Sequence, residues 1–139
     1  MAKVIKDTKL GEDLYAQNEK FFDGEAIATA STFTSSEVRF HQTLGGVEAK
    51  IVATADFTLL DTQTITVICE TADEIGGSYV FEDQIGKFTA DGDTDFKAGD
   101  VIGSYIRPAE KVGTYYAQFK ITTSGAQTGA AVDGYIVEV

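Results

Sequence analysis

Apolar and polar residues alternate with a period of two over much of this chain. The clearest stretch is 113–139. There Tyr115, Ala117, Phe119 and Ile121 fall on one side of the backbone, against Tyr116, Gln118, Lys120 and Thr122 on the other. Further on, Tyr135, Val137 and Val139 share a face opposite Gly134, Ile136 and Glu138. Such a period is that of a half-buried strand. The small, glycine-containing segment 124–129 separates the two runs, which are therefore expected to pair as an antiparallel hairpin.

The same alternation recurs upstream. Val47, Ala49, Ile51 and Ala53 alternate along 47–54, and Ile65, Val67 and Cys69 oppose Thr64, Thr66 and Ile68. Shorter strands are expected at 26–33, 38–40, 56–60 and 79–81, with 85–88 either continuing the last or starting another. A strand over 101–107 stops at Pro108, the only proline, which restrains its neighbour and donates no ladder hydrogen bond. Turn signals stand between them: Ser35-Ser36, Gly45-Gly46, the acidic 73–77 and the Gly/Asp-rich 91–99. About eight short strands punctuated in this way predict an all-β fold, an antiparallel sandwich, rather than a parallel α/β sheet.

The first 23 residues have a different pattern. Leu10, Leu14 and Phe21 are spaced by four and seven, as on one face of a short helix that Gly11 would weaken. The expected organisation is an N-terminal arm or strap over 1–23 followed by a sandwich domain over 24–139. A strap would cross its own domain, and an arm would order on a neighbouring subunit.

Composition narrows the function classes. Net charge is −11, and no run of Lys or Arg is long enough to follow a phosphate backbone, so nucleic acid is not an expected partner. No apolar run is long enough to cross a bilayer, and no membrane partner is expected. One cysteine, Cys69, forms no internal disulfide framework. The N-terminus lacks the apolar core and cleavage site of a signal peptide, so synthesis and folding in the cytoplasm are expected. Six Tyr, nine Phe and no Trp favour pleated sheets and remove the best platform for stacking on a sugar ring.

Residues able to do chemistry are sparse. His41 is the only imidazole and sits at an expected strand end, where it reads as a surface residue. Cys69 continues the row of Ile65 and Val67 and reads as a small core hydrophobe. A single His is too few for a multi-histidine metal site. Two carboxylates alone suffice for a glycosidase, but 22 acidic residues make such a pair unavoidable and therefore uninformative. Asp91, Asp93 and Asp95 alternate like the start of a calcium loop, yet position six is Phe96 and position twelve is Ile102, so a solvated acidic turn is expected. No catalytic residue, metal or cofactor is expected, and an enzyme is not.

Two stretches carry a resemblance. The first is Phe22-Asp23-Gly24-Glu25-Ala26-Ile27 with the Ala/Thr segment 28–32. The second is Pro108 followed by Tyr115-Tyr116, Phe119, Thr122-Thr123, Gly125, Thr128-Gly129 and Tyr135-Ile136-Val137. Together they resemble the small capsid decoration, or cement, proteins of tailed bacteriophages, particularly the short-tailed ones. The resemblance implies a jelly-roll-like sandwich that binds the outside of an assembled capsid and bridges neighbouring subunits of the major capsid (coat) protein. It implies self-association as well, as a homodimer or a trimer, and a place on the virion surface after synthesis in the bacterial cytoplasm. Candidate contact residues are Val4, Ile5, Leu10, Leu14, Phe21 and Phe22, with Arg107 and Tyr116 added because Arg and Tyr are common interface anchors. The alternative is a tail, fibre or adhesin-like sandwich that binds a host-surface glycan or protein.

Overall fold

The computed structural model describes residues 4–6, 20–40, 47–108, 110–111, 113–125 and 129–138, with backbone alone at 4–6 and 138. In chain order the strands are β1 (Val4–Lys6), β2 (Phe22–Ala26), β3 (Ser31–Thr34), β4 (Glu37–Phe40), β5 (Val47–Ala53), β6 (Phe57–Leu59), β7 (Thr64–Ala72), β8 (Val80–Thr89), β9 (Thr94–Phe96), β10 (Val101–Ile106), β11 (Tyr115–Thr123) and β12 (Ala131–Glu138). The protein is all-β and its sheets are antiparallel, apart from the parallel pairing of β1 with β4.

The larger sheet runs β1-β4-β11-β7-β8, and the smaller runs β10-β5-β12-β2. A two-stranded ribbon, β6-β9, lies apart from both. β3 and β4 lie end to end along one edge of β11, with Ser35 and Ser36 between them. Ser35 repairs the break: its N–H donates to the Phe119 carbonyl, and its hydroxyl accepts the Phe119 N–H, both at 2.9 Å. A small hydroxyl at this position stands in for a missing ladder partner, as a buried N–H requires.

The core lies between the two sheets. Alternation puts Tyr115, Ala117, Phe119 and Ile121 of β11 inside, as it does Val47, Ala49, Ile51 and Ala53 of β5. Ile65, Val67 and Cys69 of β7 join them, so Cys69 is the core hydrophobe its neighbours indicate. Phe21 stacks on Phe119 from the opposite sheet with ring centroids 4.8 Å apart. Gly134 makes room for that stack, because a Cβ there would overlap the edge of the Phe21 ring.

The expected hairpin over 113–139 does not form. β11 pairs with β3, β4 and β7, while β12 pairs with β5 and β2 in the other sheet. The segment after Thr123 crosses between sheets instead of folding back within one. Both strands alternate as expected, but alternation assigns faces and leaves the partner open. In β12 the buried side is Val132, Gly134 and Ile136, with Tyr135 and Val137 turned outward. The Gly/Asp-rich 91–99 also contains a strand, β9, that its composition hides.

The N-terminal segment enters the fold as well. The boundary between 23 and 24 falls inside β2, and Val4–Lys6 forms a strand along β4 of the same chain. Phe21 and Phe22 are 3% and 2% exposed and belong to the core, which removes them as surface contacts. Leu10, Leu14, His41 and the Gly45-Gly46 turn lie outside the described residues.

Candidate functional site

The densest polar constellation sits where β10 crosses over to β11. Tyr105 points inward from the smaller sheet and Tyr115 from the larger one, and their hydroxyls meet at 2.8 Å. Glu82 of β8 lies beyond, 3.4 Å from the Tyr105 hydroxyl. An ionised carboxylate only accepts, so Tyr105 donates to Glu82 and its own oxygen accepts from Tyr115. Lys111 closes the chain with an ion pair to Glu82 at 3.5 Å. Phe40 packs against both tyrosine rings, at 5.7 Å and 5.3 Å between centroids.

Arg107 braces the crossover loop. Its Nη2 donates to the Gly113 carbonyl at 2.6 Å and to the Lys111 carbonyl at 3.3 Å. Its guanidinium lies 5.0 Å from the Tyr115 ring centre, and the Lys111 ammonium approaches the same ring at 4.8 Å. Burial pushes the Tyr115 phenol up to about 12, partly offset by the Arg107 charge. Burial also raises Tyr105. Cys69 is raised by desolvation and then by the nearby Glu82 and Asp83, so its thiol stays protonated and unreactive at neutral pH. These shifts all favour neutral groups in a packed interior. The arrangement joins two sheets.

A second constellation ties a turn across the outer face of the larger sheet. Glu37 of β4 accepts the Gly76 N–H at 2.8 Å and the Tyr79 hydroxyl. Residues 73–79 join β7 to β8, yet they reach β4 on the far side of β11, so the turn lies over β11. Tyr116 is beneath this crossing, half-buried and paired with Arg39 on one side and Ala72 on the other. Burial raises the Tyr79 phenol, and its bond to Glu37 adds to that rise. Arg39 Nε is buried without a hydrogen-bond partner.

The acidic loop is occupied with its own closure. Asp93 accepts the Asp61 N–H at 3.1 Å, Asp61 accepts the Gly92 N–H at 2.8 Å, and Asp95 accepts the Thr58 hydroxyl at 2.7 Å. Among the described residues no three His, Cys, Asp or Glu side chains group as a metal ion requires. A small open hollow of about 280 Å³ beside β6 and β9 is lined by Asp56, Phe57, Thr58, Asp95, Phe96 and Lys97.

The contact candidates therefore scatter. Arg107 and Tyr116 are adjacent to the two constellations but serve different ones, and Arg107 takes Tyr115 rather than Tyr116 as its aromatic partner. Val4 and Ile5 sit at the sheet edge opposite β8, along Glu37 and Val38. What the pattern of the sequence does not flag is the exposed apolar group Val80 and Phe81, each 62% exposed, with Ile106 at 56%. Its only sequence signal is a pair of large apolar residues at the start of a strand whose later positions are polar.

Comparison with family models and with curated proteins returns no match for this chain.

Proposed function

We propose that the protein is a virion structural protein of capsid-cement type, which binds the outside of an assembled bacteriophage shell and bridges neighbouring coat subunits. The observation that carries this reading is where polar chemistry and apolar exposure lie. Polar groups are spent on internal bracing, as at Tyr105–Tyr115 and Glu37–Tyr79, while large apolar side chains stand in solvent at Val80, Phe81 and Ile106. A body arranged in that way acts through its surface. The two stretches that resemble cement proteins supply β2 and the strands β11 and β12, which span both sheets. The jelly-roll-like connection and self-association as a dimer or trimer belong to this reading.

An acidic surface fits a protein that stays soluble in high copy until a shell presents its sites. Seating on several subunits at once then multiplies weak contacts. The experiment is sedimentation of the purified protein with expanded, empty shells and, separately, with unassembled coat protein. Saturation at a fixed ratio on shells alone supports the reading. Equal binding to free coat subunits, or none to shells, sinks it.

A further inference from the structure

Among the exposed large apolar side chains, the three most exposed form one ridge. Val80 and Phe81 open β8, and Ile106 closes β10, at the edges of different sheets. Those edges run side by side. Gly86 admits the Ile102 carbonyl, which a Cβ would overlap, and Tyr105 reaches Glu82. From Gly86 opposite Ile102 to Glu82 opposite Tyr105, the two strands run in opposite directions. The next step puts Phe81 level with Ile106, so the three apolar residues gather at the end of the seam.

This end of the molecule is acidic. Asp73, Glu74, Asp83 and Glu110 are exposed, and none takes part in an ion pair among the described residues. The nearby cations turn inward: Lys111 to Glu82 and the Tyr115 ring, Arg107 to two carbonyls and that same ring. A second copy would bring four like charges against four at a net −11 per chain, which costs association energy. Addition of a strand to β8 is disfavoured too. Its pairing with β7 shifts register twice, between Val67 and Ile68 and between Cys69 and Glu70, and such bulges twist an edge away from new partners.

We propose that the Val80–Phe81–Ile106 ridge is a docking site for a segment of another protein in which apolar side chains are flanked by Lys or Arg. The apolar tips pack on the ridge, and the cations meet Asp73, Glu74, Asp83 and Glu110. Recognition is by side chains, not by strand pairing. The ridge is defined whether or not that partner is a coat subunit.

The test titrates the isotope-labelled full chain with a synthetic peptide of alternating Val and Lys, and with a Val and Glu counterpart, while backbone amide signals are followed. The expected result is shifts confined to the surroundings of Val80, Phe81 and Ile106 with the Lys peptide, and none with the Glu peptide. Phe81→Ser, at an exposed position where folding is little affected, should weaken binding about tenfold. Raising salt from about 50 to about 300 mM should weaken it several-fold. Shifts spread over the acidic surface and unaltered by Phe81→Ser would overturn the proposal, as would a wild-type dimer in sedimentation that Phe81→Ser dissolves. Failure of the wild-type protein to bind shells is a separate result. It would remove the capsid reading and leave the peptide outcome to decide the ridge.

Discussion

The hydroxyls of Tyr105 and Tyr115 meet at 2.8 Å across the gap between the two sheets. Aromatic rings of Phe40 and Phe119 pack around the pair, and Glu82 is a further partner for Tyr105 alone. The pair therefore acts as a pin at the crossover end of the sandwich.

Removing one hydroxyl should cost more than removing both is worth. Tyr105→Phe leaves the Tyr115 hydroxyl without its acceptor and is expected to destabilise by about 1–3 kcal/mol. Tyr115→Phe takes away one donor and leaves Tyr105 its bond to Glu82, so the loss is at the lower end of that range. The double variant should fall short of the sum of the two single losses. Urea unfolding of the four proteins gives the cycle, and strict additivity would mean the hydroxyls do not cooperate.

Gly134 faces the ring of Phe21, and the contact leaves no space for a methyl group. Gly134→Ala should lower stability by about 1–3 kcal/mol through overpacking. Combining it with Phe21→Leu, which narrows the side chain, should recover part of that loss. Thermal melts of the three variants decide it. An unchanged melting temperature for Gly134→Ala would show that the Phe21 stack is not held at this position.

Stability should also fall on the alkaline side. Tyr115 is held up at about 12 in the folded protein, above its ordinary 10, and Tyr105 and Cys69 are raised as well. For a group raised in this way, the folded state keeps a proton that the unfolded state releases. Stability is full below the unfolded values, near 9 for Cys69 and 10 for the tyrosines, and declines as pH climbs through the folded ones. Lys20 adds to the same decline, since its bond to Asp133 raises its value in the folded state. Urea midpoints from about pH 8 to about pH 11 should drop steadily, with Tyr115→Phe flattening the upper part of the curve. A flat profile in the wild-type protein would contradict the burial of these groups.

Faces were legible in the sequence, and partners were not. The period of two places Phe119, Ile51 and Val67 in the core without reference to any neighbour, because it depends only on the alternation of side chains along a strand. The pairing of β12 with β5 and β2 links residues far apart in the chain, and the local turn chemistry of 124–129 favours a hairpin that the fold does not use. Phe21 and Phe22 misled for a related reason. Large apolar residues near an N-terminus look the same whether they dock on a neighbour or fill the space over Gly134, and only the Phe119 stack separates the two. The ridge at Phe81 was hidden because a two-residue apolar signal looks like the start of an ordinary strand. Its exposure depends on β8 standing at the edge of its sheet, which no local pattern encodes.

Engagement of the assembled shell, as proposed, should show itself as stabilisation of that shell. A protein that binds only the assembled state shifts its equilibrium by mass action, so excess protein should raise the temperature at which expanded, empty shells come apart by several degrees. That rise should saturate once every site is filled. Disruption at the same temperature with and without saturating protein would contradict it.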